Sequence, residues 1–131
     1  MAQATPETIA SSTLEDLKKG DAKQVIENLI AKAPLVTVSA AEKTNLINTL
    51  NTFLSSYGEV EGWDLILSRK ASSRYVQQSY MVYQEKYALH FEMKFYRGAD
   101  GWILSGFKFN DALDELADAQ FENDLARSLA N

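Results

Sequence analysis

The sequence holds few side chains that could carry chemistry, and only one of them is a histidine. His90 is that residue, and the chain contains no cysteine. A histidine-based metal site or a histidine-activated nucleophile needs further ligands or a partner, so the sequence predicts neither. The missing thiol also removes disulfides, thiolate catalysis and cysteine-ligated zinc. We interpret His90 as a surface or interface histidine.

The carboxylates form no recognisable catalytic pair. Glu92 and Asp64 share the charged side of two predicted strands, where cross-strand ion pairing is the expected role for Glu92. The acidic residues after the last strand lack the spacing and the central glycine of a calcium-binding loop. These residues are Asp111, Asp114, Glu115 and Asp118. The sequence therefore predicts no catalytic residue, no metal site and no cofactor.

The elements that must position these side chains are predicted strands. The segment from Tyr87 to Tyr96 alternates apolar and polar residues with a period of two, which is typical of a half-buried strand. Similar alternation on either side predicts four consecutive antiparallel strands between Trp63 and Asn110. The predicted turns are Ser72-Ser73, Glu85-Lys86 and the glycine-containing loop Arg97-Gly-Ala-Asp-Gly101.

A single register of these strands brings the apolar residues together. It places Trp63 opposite Val82, Tyr80 opposite Phe91, and Tyr96 opposite Trp102. A slip of one residue would send every side chain to the other face, so the pattern selects this pairing. The predicted inner face consists of Trp63, Leu65, Leu67, Val76, Tyr80, Val82, Leu89, Phe91, Met93, Phe95, Ile103, Phe107 and Phe109.

Each face of the predicted sheet offers candidate binding residues. On the inner face, polar atoms and aromatic rings that could orient a ligand belong to Trp63, Gln78, Tyr80, Phe91 and Ser105. The same groups could equally be satisfied members of a core. On the outer face, the candidate interface residues are Tyr75, Met81, His90, Tyr96, Trp102 and Leu104.

The apolar patch on the outer face predicts a contact surface. A homodimer would cover the patch with its own copy, because a two-fold interface uses the same residues twice. The competing interpretation is that the C-terminal helix folds back over this face within one chain. The apolar side of that helix carries Phe121, Leu125 and Leu129.

Helix signals flank the strands. Thr5-Pro6 has the pattern of an N-cap followed by proline in the first turn, and Ser39-Ala-Ala-Glu42 has the spacing of a capping box. Helices are predicted from about residue 6 to 19, from 21 to 32 and over 40–57. The third has the most regular apolar stripe and is expected to lie across the inner face. A final helix is predicted after Asn110-Asp111.

Length and charge restrict the class of protein. The 131 residues predict one domain over 1–131, with residues 1–5 as a flexible tail. The formal net charge of −5 disfavours binding to nucleic acid or to an anionic membrane surface. No apolar run reaches the length of a membrane span. The small polar start fits both a mature exported chain and a cytoplasmic protein, and we favour export.

Four segments resemble small members of the nuclear transport factor 2-like (cystatin-like) superfamily. They are Glu61-Gly-Trp63, Leu89–Tyr96, Asp100-Gly-Trp102 and Phe107–Asn110, within roughly residues 40–110. The resemblance implies a cone-shaped α+β fold, a pocket between the helices and the concave sheet, and frequent dimers through the sheet. The superfamily includes isomerase-like and cyclase-like enzymes as well as non-catalytic modules. The catalytic positions of those enzymes cannot be matched here residue by residue.

Three functions are consistent with these observations. The first is a non-enzymatic module of this fold that binds a small apolar ligand or another protein, as a homodimer. The second is a small cofactor-free isomerase-like or cyclase-like enzyme that uses Tyr80, and an acidic residue inside the pocket would favour it. The third is a chaperone-like protein that binds a partner.

Overall fold

The fold is α+β, with three helices, a four-stranded antiparallel sheet and a fourth helix, as the sequence predicted. The computed structural model describes residues 4–130, with side chains up to Glu122. None of the helices within this range is long and apolar enough to cross a membrane. The elements are α1 (Pro6–Lys18), α2 (Ala22–Ala31), α3 (Ala40–Tyr57), β1 (Val60–Ser72), β2 (Tyr75–Gln84), β3 (Ala88–Gly98), β4 (Gly101–Asn110) and α4 (Leu113–Ala130).

The first three helices begin where their capping residues predict. The Thr5 hydroxyl accepts a hydrogen bond from the Thr8 amide at 3.2 Å, and the Thr8 hydroxyl accepts one from the Thr5 amide at 2.8 Å. The Asp21 and Ser39 side chains cap α2 and α3 in the same way. Thr5 is therefore the N-cap of α1, as its position before Pro6 predicted. Residues 1–3 of the predicted tail lie outside the described residues.

The strands follow one another in the order β1-β2-β3-β4, and most of the predicted register is confirmed. Tyr80 pairs with Phe91 in β3, and Trp63 of β1 pairs with Val82. Turns of two residues join the strands at Ser73–Arg74 and Ala99–Asp100. Because α1 contacts both edge strands, β1 and β4, the sheet curls around the N-terminal helices.

The part of β1 that follows Leu65 has the opposite facing from the one predicted by strict alternation. The register shifts by one residue between Leu65 and Leu67, so Leu67 pairs with Ser79 rather than with a residue of the inner face. Leu67 is buried at 4% exposure, but on the outer face. The same shift brings Lys70 opposite Val76, on the inner face. A bulge changes which face every later side chain occupies.

The first half of β4 was also assigned to the wrong face. The two-residue turn at Ala99–Asp100 pairs Phe95 with Leu104, and Tyr96 with Ile103. Leu104 therefore points into the core, where it is fully buried, and Trp102 shares its face. The prediction of Trp102 and Leu104 on the outer face, and of Ile103 on the inner face, is wrong.

A second register shift restores the predicted face in the second half of β4. Leu104 pairs with Phe95, whereas Gly106 pairs with Lys94, so Ser105 is an extra residue in the strand. Phe107 and Phe109 consequently pair with Met93 and Phe91 on the inner face. Ser105 thus allows both halves of β4 to turn their large apolar side chains inward.

The core lies between the inner face of the sheet and the N-terminal helices. Phe91 and Phe95 are fully buried, together with apolar residues of α1 and α2. In α3 only Leu50 is fully buried, and its other apolar residues pack at the rim of the core. The inner face is therefore covered mainly by α1 and α2 rather than by α3. Phe107, predicted on the inner face, is half-buried.

Helix α4 lies against the outer face of the sheet. It contacts β1 and β3, and Leu116 is its one fully buried side chain within the described range. Its start is fixed by the Asn110 side chain, which accepts a hydrogen bond from the Ala112 amide, and by the Tyr57 hydroxyl, which donates to Asp111 at 2.6 Å. The described part of α4 thus occupies the face on which a second subunit was predicted.

Candidate functional site

A cleft of about 470 Å³ opens at the end of the sheet next to the start of α1. We call it the mouth cleft, and its side chains of chemical interest are Glu7, Ser68, Lys70, Gln78, Arg97 and Trp102. Five elements meet here, because α1 begins at the point where β1 ends, β2 begins, and β3 turns into β4. The bulge in β1 and the short turn before β4 bring Lys70 and Trp102 to this side.

A buried amide forms the polar interior of the mouth cleft. Gln78 is only 4% exposed, and its Oε1 accepts a hydrogen bond from the Tyr80 hydroxyl at 2.9 Å. Its Nε2 is not one of the buried unpartnered atoms of the described residues, and the side chain lines the cleft. The NH₂ group can therefore donate to an acceptor atom of a ligand in the cleft.

Tyr80 is held in its neutral form behind that amide. Burial raises the pKa of the Tyr80 hydroxyl, and the negative charge of Glu7 raises the pKa further. The hydroxyl therefore keeps its proton at neutral pH and donates a hydrogen bond to Gln78 Oε1. This hydrogen bond engages the oxygen of the Gln78 amide, so the NH₂ group is the polar end that is available at the cleft.

The outer part of the mouth cleft combines positive charge with an indole. Lys70 and Arg97 are exposed at the rim, and Trp102 is half-buried. The Arg97 guanidinium carbon lies 5.9 Å from the centre of the Trp102 ring, within the range of a cation–π contact. Glu7 adds one negative charge. The cleft therefore offers two cations, one carboxylate and a flat apolar surface.

Two other clefts are open grooves between elements. One of about 370 Å³ lies between α3 and β4 and is lined by Leu46, Phe107 and Phe109 among others. Another of about 430 Å³ lies where the α1–α2 turn meets the end of α3. Neither is lined by a buried polar side chain. The mouth cleft alone among the three therefore contains a preorganised hydrogen-bonding group.

The predicted pocket residues are not brought together in one cavity. Gln78 lines the mouth cleft, and Tyr80 lies directly behind it. Phe91 is fully buried and stacks on Phe109, with ring centres 5.6 Å apart, so it is a core residue. Trp63 packs at the rim of the core, and Ser105 occupies the bulge of β4.

The predicted interface residues are divided between the two faces. Tyr75 and Tyr96 pair with each other on the outer face, and Met81 pairs with His90. His90 is buried at 6% exposure, so its interpretation as a surface residue is wrong for the single chain. The predicted pairing of Tyr96 with Trp102 is wrong, because Trp102 lies in the mouth cleft and Tyr96 pairs with Ile103.

Four of the side chains named in the mouth cleft were not predicted as site residues, namely Glu7, Ser68, Lys70 and Arg97. Strict alternation along β1 would place Lys70 on the outer face, because the bulge in β1 has no obvious sequence signal. Arg97 was assigned to a loop. Glu7 lies in the first turn of α1, and only the tertiary fold brings it to a cleft lined by strands more than sixty residues later. In the described part of the chain, no cluster of three metal-ligating side chains occurs.

The chain matches no known protein family and no curated protein. A solved structure that is similar to it is a domain of unknown function from Nostoc punctiforme, described as having a cystatin-like fold. The two sequences are 12% identical, the match covers 97% of this chain and 99% of the other, and the TM-score is 0.48. The similarity assigns no function.

Proposed function

We propose that this protein is a non-enzymatic binding module that holds a small carboxylic acid with a flat apolar part in the mouth cleft. The observation that carries the proposal is the Gln78 amide, which is buried, accepts a hydrogen bond from Tyr80 and lines the cleft. The predicted ligand was simply apolar, and the charges at the rim refine it to an acid.

The polar end of such a ligand fits the cations and the amide. A carboxylate at the cleft could accept from Gln78 Nε2 and from the guanidinium of Arg97, and hydrogen bonds to charged groups are the stronger ones. Lys70 adds a second positive charge at the rim. Glu7 would repel a second negative charge, so a monoanion is favoured over a dianion.

The apolar end of the ligand fits the indole. Trp102 exposes part of its ring to the cleft and is fixed by packing against the core. Aromatic rings prefer offset stacks with one another, so a planar ligand would gain contact area without ordering a flexible side chain. A volume of about 470 Å³ lies within the usual range for small-molecule sites.

The experiment is a titration of the protein with planar monocarboxylates, namely indole-3-acetate, 2-naphthoate and benzoate, followed by calorimetry and tryptophan fluorescence. Arg97→Gln should weaken binding by about ten-fold or more, because it removes a charge-assisted hydrogen bond. Arg69→Gln is the matched control, since Arg69 is exposed and precedes Lys70 on the opposite face. Equal affinities of the two variants, or no binding by the wild type, would refute the proposal.

A second candidate function is a proton-transfer enzyme, which is favoured by Glu7. This carboxylate lines the same cleft as Gln78 and lies close enough to raise the pKa of Tyr80. A carboxylate beside a neutral hydroxyl is a common arrangement for moving a proton on a carbonyl substrate. Glu7→Gln should abolish turnover of enolisable ketones while leaving the binding of carboxylates intact. If the wild type turns over no substrate in such a screen, the enzyme function is refuted and the binding module is the remaining proposal.

The homodimer and the chaperone-like role stay predictions. In the single chain, α4 covers part of the outer face, so a dimer through that face would need α4 to move or to join the interface. A partner-binding role would use the same face. Both roles therefore require α4 to move away from the outer face or to become part of the interface.

A further inference from the structure

A buried histidine lies under α4 on the outer face of the sheet. His90 is on β3, between Leu89 and Phe91, which point into the core on the other side. It is 6% exposed, and neither ring nitrogen has a hydrogen-bond partner among the described residues. A neutral imidazole has one donor and one acceptor, so this side chain loses both hydrogen bonds that it would make with water.

The charged groups around His90 come from three elements. Glu92 lies two residues along β3, Lys108 comes from β4, and Glu115 comes from α4. From β2, the residue opposite His90 is the uncharged Met81. Glu92 already accepts a hydrogen bond from Gln77 at 2.7 Å and lies 3.9 Å from the Lys108 ammonium group. Among the described residues, no carboxylate forms a hydrogen bond with His90, although the negative charges of Glu92 and Glu115 favour its protonated form.

The described part of α4 holds this face weakly. Leu116 is its only fully buried side chain within that range, and Phe121 is 68% exposed. The start of α4 is tethered by hydrogen bonds from the Tyr57 hydroxyl to Asp111 and from the Ala112 amide to the Asn110 side chain. These tethers would hold the start of α4 in place when the part that follows leaves the sheet.

We propose that protonation of His90 releases α4 from the outer face, so that acid uncovers this face of the sheet. The imidazolium has two donors and a positive charge, and among the described residues neither donor has a partner. Lifting α4 admits water to both nitrogens, and within the described range Leu116 is the one fully buried side chain of α4 that becomes exposed. The sheet below stays folded because its other side is held by the core.

The direction of the pH dependence follows from the burial. Burial lowers the pKa of His90 below its ordinary value of 6.5, and Lys108 lowers it further, while Glu92 and Glu115 partly offset the effect. The released state, with His90 in water, binds the proton more tightly than the covered state. Covering by α4 is therefore most stable above pH 6.5 and weakens as the pH falls below that value.

The test is hydrogen exchange of α4 amides at about pH 7.5 and about pH 5, corrected for the intrinsic exchange rates. Protection of α4 should fall several-fold at the lower pH. The upper limit is about thirty-fold, which is the ratio allowed by uptake of one proton at an ordinary pKa of 6.5. Amides of β2 and β3 should keep their protection, because the core remains intact.

Two measurements complete the test. Because His90 is the only histidine, its imidazole signal in a proton NMR titration is unambiguous and should titrate below pH 6.5. The variant His90→Gln cannot take up the proton and should keep α4 protected at both pH values. Equal protection of wild-type α4 at both pH values, or the same loss in His90→Gln, would overturn the proposal. Loss of protection throughout the sheet would overturn it as well.

Discussion

Two phenylalanines on the same face of the sheet differ in how much of the fold depends on them. Phe91 is fully buried and stacked on Phe109, whereas Phe107 is half-buried and lines an open groove. Phe91→Ala should lower the free energy of unfolding by about 3–5 kcal/mol, through lost burial and a cavity. Phe107→Ala should cost less than half as much, because water can fill its place. Urea unfolding of both variants measures this, and equal losses would contradict the assigned burial.

A single amide closes the C-terminal end of α3. The Gln84 Nε2 group donates to the Phe53 carbonyl at 3.2 Å and to the Gly58 carbonyl at 2.7 Å. Gln84→Glu replaces the donor with a carboxylate next to carbonyl oxygens at the negative end of a helix. We expect it to cost about 1–3 kcal/mol of stability at neutral pH.

The control for this prediction is Gln24→Glu. Gln24 is exposed near the N-terminal end of α2, where a negative charge is favourable. Its Nε2 donates to Asn28 Oδ1 at 3.0 Å on the surface, and the loss of that solvent-exposed hydrogen bond offsets the gain from the helix dipole. The thermal midpoint of Gln24→Glu should therefore stay close to that of the wild type, while that of Gln84→Glu falls. If both variants melt together with the wild type, the Gln84 hydrogen bonds do not stabilise α3.

At the scale of elements, the extra residue in β4 decides which side chains reach the core. Ser105 separates Leu104 from Phe107, and both point inward only because the register shifts between them. Deleting Ser105 would turn one half of β4 to the other face, with either Leu104 or Phe107 and Phe109 lost from the inner face. The deletion should therefore prevent cooperative unfolding or lower the melting temperature strongly.

Ser105→Ala keeps the length of β4 and serves as the control for the deletion. Its circular dichroism melting curve should lie close to that of the wild type, since Ser105 contributes no hydrogen bond that the fold depends on within the described residues. A deletion variant that melts like Ser105→Ala would show that β4 tolerates either register.

Alternation predicted the central strands and capping residues predicted the helix starts, because both signals are local. The pairing of Tyr80 with Phe91 is as expected from the sequence, and α3 has the predicted bounds. The errors in the assigned faces follow the bulge in β1 and the turn before β4, because a shift of one residue in register changes the face that a side chain occupies. Lys70 and Trp102 reach the mouth cleft for this reason. The cleft itself could not be predicted, since Glu7 joins it only through the packing of α1.

At the scale of the whole molecule, the sheet is covered on both sides by different means. The inner face is held by an apolar core shared with α1 and α2. The outer face buries Leu67 together with the polar side chains Ser79, His90 and Glu92. Burial of polar groups contributes less free energy than burial of apolar ones. The helices that cover the inner face and the helix that covers the outer face should therefore detach from the sheet under different conditions.

A substitution in α4 should uncover the outer face of the sheet without acid. Leu116→Asp places a charge where α4 meets the sheet, and burying an unpaired carboxylate is costly, so α4 should detach at neutral pH. Leu67 and Met81 would then be open to water, and an exposed apolar face favours pairing with a second copy. Sedimentation velocity at tens of micromolar should show Leu116→Asp as a larger species than the wild type.

Ala117→Asp is the matched control for that measurement. Ala117 is exposed on the neighbouring position of the same helix, so the variant adds an equal charge without disturbing the contact between α4 and the sheet. It should sediment like the wild type. A wild type that is already dimeric would mean that α4 and the interface coexist on this face. A monomeric and folded Leu116→Asp would mean that the outer face has no affinity for its own copy, and the predicted homodimer would then be excluded for this face.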